Sequence, residues 1–173
     1  HAREPSAYFF PDQYNNPDNW KAHYHGTGPE IWEQTEGSVT HFVAGLGTSG
    51  TFRGVSTSLK ERNPALRAIS VQPEGPLHGL EGLKHMETSL LPGIYDPSLC
   101  DEELFIGTEE AQALVRRAAR EEGLLIGNSS GANLAAALRI AEALHRAGRK
   151  ATVVTVFPDG GERYLGERFW EDR

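Results

Sequence analysis

One cysteine and four lysines (Lys21, Lys60, Lys84, Lys150) stand in 173 residues, and each scarcity excludes something. A lone Cys100 forms no internal disulfide and leaves no second thiol for a redox pair or a zinc cage. Acids follow it in Asp101-Glu102-Glu103, a neighbourhood that works against a catalytic thiolate. No apolar run is long enough to span a membrane, and the N-terminus carries no signal-peptide core. A cytoplasmic protein is expected. The formal charge of −7 and the absence of a basic run exclude a nucleic-acid surface. The densest basic group (Arg116, Arg117, Arg120) sits among Glu109, Glu110, Glu121 and Glu122, which predicts a solvated helix face. Among the seven histidines, neither His23/His25 nor His78/His85 has a carboxylate or cysteine at metal-ligand spacing, so no metal site is expected and packing roles are. The chain opens at His1, without methionine, and reads as part of a longer protein.

What is present is glycine at informative spacing. Gly45-Leu46-Gly47-Thr48-Ser49-Gly50-Thr51 lies between an apolar, β-branched run (residues 39–44) and a run with Phe52, Val55 and Leu59 at helical spacing, closed by Asn63-Pro64. Strand, glycine loop and helix aim free backbone N–H groups and the positive end of a helix dipole at an anion. Gly45, Gly47 and Gly50 also satisfy the G-x-G-x-x-G dinucleotide pattern. That reading needs an acid after the next strand, residues 68–72; Gln72 holds the place and Glu74 lies beyond Pro73. The hydroxyls of Thr48, Ser49 and Thr51 favour a terminal phosphate monoester, which is dianionic and needs several donors.

Further strands are expected at 103–106 and 151–157, the latter the cleanest buried strand in the sequence. Thr108 is expected to cap a helix ending at Gly123, with Ala111, Leu114, Val115 and Ala118 on its buried face. Ser129-Ser130-Gly131 opens another helix ending near Gly148, and the glycine- and proline-rich stretch 73–101 reads as a site wall or lid. Alternating helices and wholly apolar strands predict an α/β fold: a three-layer parallel sheet with helices on both faces. Both glycine- and serine-bearing turns then face the carboxyl edge, where ligands bind in such sheets.

Five stretches carry a resemblance in order: Asp12-Gln13-Tyr14-Asn15-Asn16-Pro17, Gly26-Thr27-Gly28-Pro29-Glu30-Ile31-Trp32, the loop 45–51, residues 123–132, and Pro158-Asp159-Gly160-Gly161-Glu162-Arg163-Tyr164. Together the chain resembles the cysteine synthases of the B-type branch (O-acetylserine sulfhydrylase and relatives), fold-type II pyridoxal-phosphate enzymes. The resemblance implies that Gly47, Thr48, Ser49, Gly50 and Thr51 hold the 5′-phosphate of pyridoxal phosphate and that Ser129 hydrogen-bonds the pyridine nitrogen. It also implies that Gln13 helps bind the substrate carboxylate and that Gly82, in His78-Gly79-Leu80-Glu81-Gly82-Leu83, belongs to a mobile segment beside the ring. Asn128 departs from the small or apolar residue expected there.

The larger departure is the Schiff-base lysine, which in the family follows serine or threonine and precedes Asp-Arg. None of the four lysines matches, so no catalytic residue is assigned and the chain is expected to be inactive alone. The family's asparagine loop is missing as well. The implied picture is an incomplete large domain at 18–173 preceded by the remnant of a smaller domain at 1–17, from a homodimer acting on an O-activated serine and sulfide or a thiol donor. A cystathionine β-synthase-like enzyme and a Rossmann-type nucleotide module are the alternatives.

Overall fold

The computed structural model describes residue 4 and residues 7–171. Its elements alternate as expected. Helices α1 (Asp18–His25) and α2 (Thr27–Gln34) precede strand β1 (His41–Gly45), helix α3 (Gly50–Arg62) and strand β2 (Arg67–Pro73). Strand β3 (Glu102–Ile106), helices α4 (Thr108–Arg117) and α5 (Asn128–Arg146) and strand β4 (Val153–Thr155) follow. The four strands are parallel in the order β3-β2-β1-β4, with Val43 opposite Ile69 and Thr155, and Val71 opposite Leu104.

Successive strand residues face opposite sides of the sheet, and the burial follows. Val43, Ile69 and Val71 pack with Ala132, Ala135, Ala136 and Ile140 of α5. Phe42, Ala44 and Ala68 pack on the other side with Phe52, Val55 and Leu59 of α3. The alanines of α5 let it lie close to the sheet, so the three-layer α/β fold stands as expected.

Three local expectations are corrected. The strand foreseen at 151–157 shortens to Val153–Thr155 and is half-buried, because it is an edge paired only to β1; Phe157 is 41% exposed. The helix foreseen to run to Gly123 is α-helical only to Arg117 and continues as a π turn over Ala118–Glu122, closed by Gly123 at φ +70°. Thr108 does not cap α4: Gly107 does, and the Thr108 hydroxyl accepts the Gly79 N–H at 3.0 Å. The basic group also divides. Arg117 pairs with Glu121, whereas Arg116 donates to the Phe169 carbonyl and so ties α4 to the turn Arg168–Trp170.

Candidate functional site

A cleft of ≈ 200 Å³ opens at the carboxyl edge of the sheet. It is lined by Gly47, Thr48 and Ser49 from the β1–α3 loop, by Gly50 and Thr51 at the start of α3, by Gly82 and Leu83 from the stretch after β2, by Ser129 and Asn133 of α5, and by Val156 and Pro158 after β4. Seven of the eight residues singled out in the sequence therefore meet in one space. The eighth, Gln13, is exposed and reaches the cleft indirectly: its carbonyl accepts from Asn19 Nδ2 at 2.7 Å, and the same nitrogen donates to Thr48 Oγ1 at 3.1 Å.

Neither helix start carries a hydrogen bond from an N-cap side chain. The first N–H groups of a helix have no intrahelical partner and need an outside acceptor. Ser49, the residue before α3, sits in the left-handed region at φ +70° with no side-chain cap, and its hydroxyl is buried without a partner. A non-glycine residue there costs about 1 kcal/mol, a strain typical of ligand-binding turns. At α5 the cap is Gly127; Ser129 stands in the first turn, 4% exposed. The neighbouring Ser130 hydroxyl donates to the Asp159 carbonyl at 3.3 Å, and Gly127 N–H donates to that same oxygen at 3.1 Å. The turn after β4 thus holds the start of α5, and with it Ser129, against the cleft. Tyr164 fixes that turn by donating to Asp159 Oδ2 at 2.7 Å; burial and this bond push the phenol up to about 12.

Two glycines meet across the cleft mouth. Gly82, at φ +88°, turns its carbonyl over the bare Cα of Gly47, where a side chain would overlap it. Lys84 N–H donates to the Leu46 carbonyl at 2.7 Å and closes the same contact.

No cationic side chain lines this cleft among the described residues. Lys84 Nζ stands 5.0 Å above the Tyr14 ring, Lys60 pairs with Asp101 at 2.7 Å, and Lys21 and Lys150 are exposed. What the cleft offers a negative charge is backbone N–H groups, hydroxyls and the positive ends of α3 and α5.

Three residues here were not singled out by the sequence reading. Asn133 donates to the Val156 carbonyl at 2.9 Å while its Oδ1 is buried without a partner. His23, expected only to pack, lies between two hydroxyls: Nδ1 is 3.0 Å from Thr27 Oγ1 and Nε2 is 3.2 Å from Thr51 Oγ1. Burial lowers its pKa, so it is neutral near neutral pH. Asn19 is the third. Only its side chain's reach across 29 residues of sequence reveals it, and no local spacing encodes that.

The geometry removes the ribose contact that a dinucleotide needs. Gln72 is 3% exposed, its amide donates to Glu103 Oε1 at 3.2 Å and its oxygen accepts the Met86 N–H at 2.9 Å. Both ends of the group that holds the ribose position are committed to the fold.

Comparison with known proteins agrees with this geometry. The family model described as "Pyridoxal-phosphate dependent enzyme" matches residues 1–159. A cysteine synthase of Aquifex aeolicus (strain VF5) is 50% identical over 169 residues, covering 98% of this chain and 52% of the relative. The crystal structure of a cysteine synthase from Entamoeba histolytica superposes with a TM-score of 0.90 at 35% identity, covering 99% of this chain and 52% of that one. That of an O-acetylserine-dependent cystathionine β-synthase from Helicobacter pylori does so with a TM-score of 0.86 at 38% identity, covering 96% and 55%. The chain spans about half the length of these relatives. With its cleft at the carboxyl edge and its fold shared with fold-type II enzymes, the chain belongs to the pyridoxal-phosphate-dependent enzyme family.

Proposed function

We propose that the chain is the cofactor-phosphate-binding portion of a cysteine synthase, an enzyme that replaces the β-substituent of an O-activated L-serine with sulfide or a thiol donor. The carrying observation is the buried, partnerless Ser49 hydroxyl at the start of α3, in a cleft-lining turn whose Gly47 and Gly50 let the Gly82 carbonyl and the Asn19 carboxamide pack against it. A group with several acceptor oxygens and two negative charges satisfies that site, and the residues present fit the phosphate of pyridoxal phosphate.

When bound, pyridoxal phosphate supplies the electron sink for removing the β-substituent and adding the sulfur nucleophile. The protein's part is to hold and orient. Residues 47–51 receive the phosphate with N–H groups and hydroxyls. Ser129 offers a neutral hydroxyl to the ring nitrogen, and a hydroxyl does not hold a pyridinium as a carboxylate would. The ring is then the weaker electron sink that suits β-replacement. Gln13 is assigned to the substrate carboxylate and Gly82 to the segment beside the ring. No lysine lines the cleft among the described residues, so this reading assigns the amine that moves the substrate proton to residues outside this chain. The same reading assigns residues 1–17 to the end of a smaller domain and 18–173 to the large one, in a cytoplasmic homodimer.

Titrating the purified chain with pyridoxal phosphate should perturb tryptophan fluorescence, and inorganic phosphate should compete while NAD does not. Failure to bind pyridoxal phosphate, or binding of NAD at the same site, would overturn the proposal. Sulfide-dependent cysteine formation by this chain alone should be undetectable. A second reading, in which homocysteine is the thiol, is favoured by the likeness to the Helicobacter pylori enzyme. It shares the same phosphate site, and the thiol accepted by the full-length enzyme separates the two.

A further inference from the structure

Helices α1 and α3 meet at two glycines of α3. Gly50 and Gly54 are one turn apart on α3; a side chain on Gly54 would overlap the Trp20 carbonyl and crowd Tyr24 N at 2.8 Å. One on Gly50 would overlap the Asn19 carboxamide. Two bare Cα positions therefore admit α1, and α1 brings Asn19 against the phosphate loop.

Asn19 spends both amide hydrogens there. One goes to the Gln13 carbonyl at 2.7 Å and the other to Thr48 Oγ1 at 3.1 Å. A threonine hydroxyl has one hydrogen to give and two lone pairs to accept with. Thr48 Oγ1 accepts from Asn19 and, at 3.3 Å, from Gly50 N–H, so both lone pairs are engaged. What remains is its own O–H, on a residue that lines the cleft.

We infer that Asn19 is a positioning residue that fixes Thr48 as a hydrogen-bond donor toward the phosphate and ties the Gln13 segment to the phosphate loop. The inference rests on the phosphate-binding reading above. It makes one carboxamide the mechanical link between the part of the chain assigned to the substrate carboxylate and the part assigned to the cofactor.

The test measures binding of pyridoxal phosphate and of inorganic phosphate to the full 173-residue chain and to two variants, Asn19→Ala and Asn19→Asp. Asn19→Asp is nearly isosteric, so it keeps the packing against Gly50 while replacing the donor with an acceptor-only group. Both variants should bind either ligand about ten-fold more weakly, the worth of one hydrogen bond to a charged group's donor. The phosphorus-31 resonance of bound pyridoxal phosphate should move as well, which a purely structural loss would not cause. In a Thr48→Val background, Asn19→Ala should add no further loss, whereas Thr48→Ser should keep most of the parent affinity. Amide exchange at residues 13–15 should accelerate in both Asn19 variants. If the parent binds pyridoxal phosphate and both variants match it within two-fold with an unmoved resonance, the inference is overturned alone. If the parent itself does not bind, the functional reading falls and this inference falls with it.

Discussion

The carbonyl of Gly82 rests on the Cα of Gly47, and no side chain larger than hydrogen fits between them. The contact joins the turn before α3 to the segment at the cleft mouth. Gly47→Ala should force the two apart, because the obstructing atom is backbone and not the end of a flexible side chain. A loss of about 2 kcal/mol is expected, read as lower thermal stability and weaker pyridoxal phosphate binding. Gly75→Ala, with open space around its Cα and no positive φ, should leave both unchanged within about 0.5 kcal/mol.

Ser49 presents stability and binding as opposed demands. Its backbone is left-handed and its hydroxyl is buried without a partner, so the free chain carries both costs. Ser49→Gly should raise unfolding stability by about 1 kcal/mol. The same substitution should weaken phosphate binding by removing a donor. Urea unfolding and a phosphate titration on one preparation check the two signs; a variant weaker in stability and unchanged in binding would contradict both.

Burial lowers the pKa of His23, His41 and His78 from the ordinary value of 6.5, the last two also repelled by neighbouring charge from Arg149 and His85 respectively. The unfolded chain therefore takes up protons first as pH falls, and folding must exclude them. Stability should be level above about pH 7 and should fall as pH drops through 6.5 toward the lower folded values. Asp101 acts in a separate, lower window. Despite opposing desolvation, its hydrogen bond from Ala68 N–H and its pairing with Lys60 hold it below 3.8, so its contribution disappears only as pH falls through that depressed value. Urea midpoints measured from pH 8 to pH 4 should show the first decline, and His23→Gln should shrink it.

Tyr164 supports Ser129 through two steps: its hydroxyl holds Asp159, and the Asp159 backbone holds Gly127 and Ser130. Tyr164→Phe takes the hydrogen bond from the half-buried Asp159 carboxylate, whose buried Oδ1 already has no partner. The expected cost is about 1–3 kcal/mol in stability. Pyridoxal phosphate affinity should fall less than in Asn19→Ala, since the phosphate loop itself is untouched.

Much of the architecture was legible because its signals are local. The apolar runs placed three of the four strands to within about two residues, and Asn63-Pro64 marked the end of α3. Residue type is a poorer guide before α5: Leu124 and Leu125 are exposed, and Ile126 pairs through a single bridge to Gly160. The glycines and hydroxyls of residues 47–51 marked the cleft-lining turn into α3, because a helix start with exposed N–H groups is a property of that short stretch alone.

Asn19, His23 and Asn133 were not legible, although they reach the same site. Each acts through partners fixed by packing: Asn19 and His23 reach Thr48 and Thr51 because Gly50 and Gly54 admit α1, and Asn133 reaches Val156 because α5 crosses behind β4. The buried character of 151–157 failed for a related reason, since composition does not say which strand lies at an edge. The sequence by itself determined the alternation of elements, the glycine- and hydroxyl-rich turn of residues 47–51 and the absence of a motif-borne lysine, all set by residue type and spacing. Only the tertiary structure decided which distant side chains stand behind that loop, because a hydrogen bond across 29 residues exists only once two helices have packed.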